Sequence, residues 1–210
     1  MKQLFSEIPF IEGKDLSLRE VSPDDASSLK ELVDNLAVYR YLPTYLFEKK
    51  YDDVSYVIRH LYDECMKESI ILGIYLQENK VVSEEEEPHG QICRDLVNSG
   101  MSTSETSSGG CFCGLIELYS YRKHIHKVSL GYRLLERFWG RGIATEAVNL
   151  MTDYLFNETD IRIITASTMM ENKASAKVLR KNRFDRIASG IPEDWGYSTL
   201  TVTDKWIRLK

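Results

Sequence analysis

The sequence has no long hydrophobic run. Its most apolar stretch, Ile70 to Leu76, is far shorter than the roughly 20 residues that a membrane-spanning helix requires. The first residues also lack the apolar segment of a secretory signal, because Glu7, Pro9 and Glu12 interrupt it. Both absences predict a cytoplasmic protein that does not cross a membrane.

Basic residues are in deficit as well. The 210 residues include 27 Lys and Arg against 32 Asp and Glu, which gives a formal net charge of −5 at pH 7. A protein that binds nucleic acid normally carries a basic excess or stripe, so no nucleic-acid partner is expected. With 43% hydrophobic and 28% charged residues, the composition is that of a globular protein.

Cysteine is scarce and lacks the spacing of metal ligands. The chain contains no Cys-x-x-Cys pair and no matching histidine spacing, so no metal site is predicted from its four cysteines, which are Cys65, Cys93, Cys111 and Cys113. In the segment Cys111-Phe112-Cys113, both thiols would share one face of a strand. Packing is favoured over redox chemistry for this pair.

Local signals outline the first half of a single domain predicted over 1–210. Asp15–Val21 alternates as a strand does, and Ser22-Pro23 supplies the cap and first turn of a helix. A second helix is predicted over Asp52–Met66, followed by a buried strand at 69–76. The composition of 77–110 is polar and rich in Glu, Ser, Thr and Gly, which predicts a flexible insertion after the second strand.

The second half alternates strands with helices. Strands are predicted at 111–119, 127–135, 161–168, 184–189 and 198–209, and helices at 142–156 and 173–181. The full order is β, α, α, β, insertion, β, β, α, β, α, β, β. This order predicts a mixed α/β protein.

One segment between a strand and a helix has the pattern of a phosphate-binding turn. It reads Arg137-Phe138-Trp139-Gly140-Arg141-Gly142. Glycines allow a positive φ, and the free N–H groups at a helix start attract anions such as pyrophosphate. The segment lacks the Lys-Ser/Thr of a P-loop, and Thr145 stands where a dinucleotide fingerprint needs its third glycine.

The same segment resembles the acyl-CoA loop of the GNAT superfamily of N-acetyltransferases, whose pattern is Gln/Arg-x-x-Gly-x-Gly/Ala. Gly131-Tyr132 followed by 139–147 is similar to the RimJ/RimL-type branch, and Asn172-x-x-Ser175 resembles that branch's next helix start. The resemblance covers most of the chain and implies the GNAT fold. This fold is a central, twisted, mostly antiparallel mixed sheet flanked by helices, here with the polar insertion between the second and third strands.

The resemblance departs from the family at the end of the helix 173–181. The family places glycine just before the phenylalanine of its sixth strand, whereas this chain has Arg183 before Phe184. Asparagine tolerates the left-handed conformation better than arginine does. Asn182 is therefore expected to end the helix in that conformation.

The resemblance implies acetyl-CoA as the acetyl donor, with its pantetheine between the strands 127–135 and 161–168 and its pyrophosphate over Arg137 to Thr145. Arg137 and Arg141 are either phosphate ligands or surface cations, and Asn172 is a helix cap, a pantetheine contact or both. Trp139 is expected to pack at the base of the loop. The cofactor-binding residues implied are Tyr132, Arg133, Leu134, Arg137, Trp139, Gly140, Arg141, Gly142, Ile143, Ala144, Thr145, Asn172 and Ser175.

Two residues are catalytic candidates. By the resemblance, Ser175 protonates the departing CoA thiolate, although it also fits an ordinary helix-start serine. Glu117 lies within an apolar strand and is either the base, directly or through water, or a solvent-facing residue. The family takes its oxyanion donor from a backbone N–H, here around Tyr132 to Leu134. Alternative proton carriers are Tyr119, Tyr121, His124 and His126.

The predicted activity is direct acetyl transfer to a primary amine, since no cysteine falls on the matched segments to form a covalent intermediate. The RimJ/RimL resemblance favours a protein N-terminal α-amine. Polyamines, amino sugars and amino-acid derivatives are alternative acceptors, and a non-catalytic CoA-binding or partner-binding module is an alternative function. The acceptor pocket is expected between the first two helices, the hairpin 120–126 and the segment 191–197. The oligomeric state is left open.

Overall fold

The computed structural model describes Leu4 and residues 7–44, 46, 48, 50–65, 68–77 and 110–210. Within these ranges, eight strands form one sheet in the order β1-β2-β3-β4-β5-β6-β8-β7. All neighbours are antiparallel except β5 and β6. The strands are β1 Ile11–Glu12, β2 Leu16–Arg19, β3 Ile70–Leu76, β4 Cys111–Arg122, β5 Lys127–Leu134, β6 Ile163–Met169, β7 Asp185–Glu193 and β8 Thr201–Leu209.

Side-chain caps define where several helices begin. The Asn35 side chain accepts hydrogen bonds from the first turn of α2, and Asp53 does the same for α3. None of the described helices is long and apolar enough to cross a bilayer. The helices are α1 Ala26–Asp34, α2 Leu36–Tyr39, α3 Val54–Tyr56, α4 Tyr62–Cys65, α5 Ile143–Glu158 and α6 Lys173–Lys181.

The sheet separates two layers of helices. On one side α5 packs on β1, β2 and β5 and against α6; on the other, α1 packs on β4 and α4 on β3. Adjacent residues of β5 contact different helix layers, because consecutive side chains of a strand point to opposite faces of the sheet. Tyr132 reaches Ser175 of α6, whereas Arg133 reaches Glu48 in the connection after α2.

The parallel strands β5 and β6 pair only at their starts. Their register runs from Lys127 opposite Ile163 to Ser129 opposite Thr165. Both strands continue, to Leu134 and Met169, and β6 remains paired along its length with β8 instead. The two strands therefore part in the middle of the sheet, and a cleft opens between them.

The predicted mixed α/β fold is confirmed, with corrections in detail. The two-residue strand β1 precedes the first predicted strand, so the predicted insertion follows the third strand and not the second. Residues 78–109, which hold most of that insertion and Cys93, lie outside the described residues. The second predicted helix begins at Val54 and contains a π-helical turn, Val57–Leu61, and β4 continues to Arg122 before a short 3-10 turn.

The predicted left-handed conformation of Asn182 is wrong. Asn182 has φ −90°, and Arg183 takes the positive φ of 59°. The buried Asn182 side chain donates hydrogen bonds from Nδ2 to the carbonyl oxygens of Val178 (3.0 Å) and Thr145 (3.1 Å). These bonds hold Asn182 at the end of α6 and tie it to the first turn of α5, so the chain reverses at the exposed Arg183.

Candidate active site

A glycine turn leads from β5 into α5. Gly140 has φ +76° and Gly142 has φ +87°, and a Cβ added to either would meet nothing within 4 Å. Gly142 is the N-cap of α5 and offers no side chain to the first-turn N–H groups. This helix start therefore faces open space with its positive end exposed, which fits the phosphates of CoA.

The side chains around this turn differ in their exposure and partners. Phe138 is fully buried and anchors the turn, while Arg137 lies over its ring and pairs with Glu31 of α1. Trp139 is 44% exposed, and its indole Nε1 donates a 2.9 Å hydrogen bond to the Leu134 carbonyl. Arg141 is exposed, and among the described residues it forms no ion pair. Of the two arginines, Arg141 is therefore the one whose charge is available to a phosphate.

The remaining residues of the predicted cofactor set surround this turn. Leu134 and Ile143 are buried, and Ala144 and Thr145 are half-buried in the first turn of α5. The Arg133 side chain points to the opposite face of β5, so only its backbone lies on the predicted cofactor path.

The start of α6 brings a pair of hydroxyl groups to the cleft. The Asn172 Oδ1 accepts a 3.0 Å hydrogen bond from the Ser175 N–H, which makes Asn172 the N-cap of α6. The Tyr132 hydroxyl and Ser175 Oγ are 2.9 Å apart. Burial raises the pKa of Tyr132, so its hydroxyl stays protonated near neutral pH and can donate to Ser175.

The cleft between β5 and β6 has a volume of about 760 Å³. Tyr132, Asn172 and Ser175 line it from one side of the sheet, and Glu117 and Trp195 line it from the other. Of the predicted acceptor elements, the hairpin contributes Ser120 and Arg122 and the segment 191–197 contributes Glu193 and Trp195. The two predicted helices contribute no residue to the described lining, which instead includes Leu42 and Pro43 from the connection between them.

A buried arginine lies between two carboxylates behind the cleft. Arg133 donates from Nη1 to Glu117 Oε2 at 3.0 Å and from Nη2 to Glu48 Oε1. The side chains of Arg133 and Glu48 are 2% and 0% exposed. Burial opposes the charge of Arg133, but Glu48 and Glu117 together raise its pKa well above the ordinary value. Tyr62 adds a hydroxyl hydrogen bond to Glu48 Oε1 at 3.3 Å.

Glu117 forms the end of this network that reaches the cleft. Its side chain is 19% exposed, and Oε2 accepts the hydrogen bond from Arg133. Its other oxygen lies over Gly131 of β5, where an added Cβ would come within 2.8 Å of Oε1. Glycine at this position therefore leaves the room that the carboxylate occupies. The arrangement fixes one oxygen and presents the other to the cleft.

Three of the four alternative proton carriers are placed less favourably than Glu117. Tyr119 lines the cleft, whereas Tyr121, His124 and His126 do not contribute to the described lining. His126 Nδ1 lies 3.0 Å from Asp160 Oδ2 beyond the cleft, and His124 is exposed. In the part of the chain that the structure describes, no group of three His, Cys, Asp or Glu side chains is arranged to hold a metal ion.

Sequence reasoning missed Glu48. It lies in the connection between α2 and α3, where the sequence predicts neither a helix nor a strand, and is distant in sequence from Arg133 and Glu117. An acidic residue in such a connection is normally predicted to be exposed to solvent. The only available signal was the arginine in β5, since a buried guanidinium requires a carboxylate partner.

Comparisons with known proteins agree with this geometry. The family model described as an acetyltransferase (GNAT) domain matches residues 15–185. A segment of 82 residues, 39% of this chain, is 35% identical to the Bacillus subtilis protein named "Probable N-acetyltransferase YjcK" and spans 45% of it. The chain thus matches less than half the length of that relative.

Two solved structures share the fold over nearly the whole chain. The acetyltransferase from Salmonella typhimurium that modifies the N-terminal serine of ribosomal protein L7/L12 has a TM-score of 0.69 at 14% identity, covering 96% of this chain and 99% of that one. Mycobacterium smegmatis RimJ in complex with CoA-disulfide has a TM-score of 0.68 at 16% identity, covering 96% and 86%. With the family model matching most of its residues, the chain belongs to the GNAT acetyltransferase domain family.

Proposed function

We propose that this protein is an acetyl-CoA-dependent N-acetyltransferase that transfers the acetyl group directly to a primary amine, with a peptide N-terminal α-amine as its first acceptor. One arrangement carries the proposal. Glu117 and the Ser175–Tyr132 hydroxyl pair line a single cleft from opposite faces of β5, beside a helix start that is open to phosphate. Membership of the GNAT family supports it.

Acetyl-CoA supplies a thioester whose carbonyl carbon an amine can attack and whose thiolate can leave. The first-turn N–H groups of α5 and the Arg141 guanidinium bind the pyrophosphate. Beyond Ser129, β5 no longer pairs with β6, so backbone N–H groups directed into the cleft can bind pantetheine and the developing oxyanion.

Glu117 removes the proton from the attacking amine. An α-amine has an ordinary pKa of about 7.7–8.0, against about 10.4 for a lysine side chain, so it is the easier group to deprotonate. Arg133 holds Glu117 Oε2, and Oε1 takes the proton directly or through water. On the opposite face of the strand, Ser175 Oγ gives its proton to the departing thiolate and takes a replacement proton from solvent, while the hydrogen bond with the Tyr132 hydroxyl positions Ser175 Oγ.

The charges of the cleft favour an α-amine over a polyamine. Among the described lining residues, the carboxylates are Glu117 and Glu193. Glu193 is already paired with Lys205, and Glu117 with Arg133. An acceptor with several ammonium groups would need further free carboxylates, which these lining residues do not provide. A single amine needs only the remaining oxygen of Glu117.

The test follows release of CoA thiol from acetyl-CoA with N-terminal peptides, polyamines and amino sugars as acceptors. We expect amine-dependent release that is fastest with peptide α-amines. Glu117→Gln should lower kcat by roughly 100-fold or more, because a positioned base typically contributes about 10²–10⁴-fold.

Glu12→Gln is the matched control, since Glu12 is an exposed carboxylate on a strand of the same sheet, outside the described lining of the cleft. It should retain full activity. Full activity of Glu117→Gln would remove Glu117 from the mechanism. An increase in melting temperature with CoA, but no thiol release with any acceptor, would instead indicate a non-catalytic CoA-binding module.

A further inference from the structure

The hairpin between β4 and β5 concentrates positive charge in an otherwise acidic chain. Residues 121–127 read Tyr-Arg-Lys-His-Ile-His-Lys and contain no acidic residue, whereas the whole protein has a formal net charge of −5. The hairpin lies at one end of the cleft. A local reversal of charge beside a proposed active site indicates recognition of an anionic group.

Two cations of this hairpin face the cleft floor. Arg122 and Lys127 are paired in the ladder between β4 and β5, and both line the cleft. Lys127 lies on the same face of β5 as Gly131, which is the register partner of Glu117. Ser120 has a positive φ of 52°, and the register shifts between Tyr119 and Arg122. This irregularity lets Arg122 join Lys127 beside the cleft.

The other charges of the cleft already have partners. Lys205 pairs with Glu193 and also donates a 3.0 Å hydrogen bond to Ser167 Oγ. Glu117 is held by Arg133. Arg122 and Lys127 form no ion pair with any described residue, so their charges remain available to a ligand. The cleft floor thus presents one carboxylate oxygen at Glu117 and two uncompensated cations at the hairpin.

The spacing of these charges selects the length of the ligand. Lys127 precedes Gly131 by four residues of β5, which corresponds to about 13 Å along the strand. The carboxylate of a free amino acid lies too close to its own amine to reach from Glu117 to Lys127. An extended peptide advances about 3.3 Å per residue, so an acidic side chain at its third to fifth position spans this distance.

Resting on the proposed function, we infer that the preferred acceptor is a peptide N-terminus with an Asp or Glu at the third, fourth or fifth residue. The α-amine lies at Glu117, and the acidic side chain lies between Arg122 and Lys127. The same chemistry disfavours basic residues at those positions, since like charges repel across the cleft.

A peptide series tests this inference, with one Glu moved from the second to the sixth position and a Gln peptide matched to each. We expect kcat/KM to be about fivefold higher for Glu than for Gln at the third to fifth positions, and near equal at the others. Raising the salt to about 0.5 M should reduce the ratio, because exposed charges are screened.

The double variant Arg122→Gln/Lys127→Gln should bring the Glu-to-Gln ratio to about one. Lys123→Gln is the control, since Lys123 is an exposed cation of the same hairpin that does not contribute to the described lining, and it should keep the preference. A melting curve confirms that each variant is folded.

Equal rates for all Glu and Gln peptides, or a preference that the double variant retains, would overturn the inference while leaving N-terminal acetylation in place. Acetylation of small amines but of none of the peptides would overturn both this inference and the proposal that a peptide α-amine is the first acceptor.

Discussion

The two faces of β5 carry two kinds of site. On the face toward α6, the site consists of backbone N–H groups at a helix start, two open glycines and a pair of hydroxyls. On the opposite face, it consists of ionised side chains from three distant segments, Glu48, Glu117 and Arg133. Binding at a backbone site is determined by the local conformation of the chain. The stability of a buried charge network requires all of its charged side chains to be present.

This difference predicts where substitutions act. Substitutions at the centre of the glycine turn should weaken ligand binding and leave the fold intact, because Gly140, Arg141 and Gly142 are exposed. Removing a member of the buried network should cost folding stability first, because an unpaired charge remains inside the protein. A variant on that side therefore needs a measurement of folding stability beside the measurement of kcat.

The largest expected effect is that of Arg133→Met. Methionine keeps much of the volume but leaves Glu48, whose side chain is fully buried, without its guanidinium partner. Loss of one partner of a buried ion pair typically costs about 3–5 kcal/mol of unfolding free energy. Denaturant unfolding of the variant should show this loss.

Arg137→Met provides the matched comparison. Arg137 also pairs with a glutamate, but Glu31 is 48% exposed on the surface of α1. Exposed pairs contribute about 0–1 kcal/mol, so this variant should unfold almost like the parent protein. Equal losses for the two variants would contradict the view that burial of the ion pair sets its contribution to stability.

The same difference explains what the sequence could predict. Helix α6 coincides with its predicted range, 173–181, and the glycine turn has the predicted open conformation, because both depend on consecutive residues. Strand β1 was not foreseen because two residues are too few to show alternation. Glu48 could not be assigned, because its partners are 69 and 85 positions away and only the folded sheet brings them together.

The helix end at Asn182 shows how tertiary contacts override local preference. Asparagine has the better intrinsic tolerance for a positive φ, yet its side chain is occupied with the carbonyl oxygens of Thr145 and Val178. Arg183 takes the less favourable conformation instead. The left-handed residue is thus set by a contact between α5 and α6 that local sequence does not encode.

A smaller effect is expected on the cofactor face from Gly142→Ala. At φ +87° an alanine is strained by roughly 1–2 kcal/mol, so the turn shifts and the affinity for acetyl-CoA should fall about tenfold. Calorimetric titration with CoA measures the change. Gly190→Ala introduces the same strain at φ +73° in β7, also in open space, and should leave CoA affinity unchanged. A matching loss at Gly190 would mean that strain alone, and not the phosphate site, lowers the affinity.

The smallest effect is expected for Ser175→Ala. A thiolate is stable enough to leave without full protonation, since a free thiol has a pKa of about 8.5, so losing the acid should lower kcat by only about fivefold. The KM for acetyl-CoA should stay within about twofold, because the Asn172 side chain bonds the Ser175 backbone N–H and this bond survives the change.

Tyr132→Phe keeps Ser175 but removes the hydroxyl that lies 2.9 Å from Ser175 Oγ, and should reproduce part of the loss in kcat. If Ser175 is the acid, the loss in Ser175→Ala should also shrink as the pH falls, because solvent then supplies more readily the proton that Ser175 no longer donates. A pH-independent defect shared equally by both variants would make the hydroxyl pair a packing contact and leave all proton chemistry on the Glu117 face.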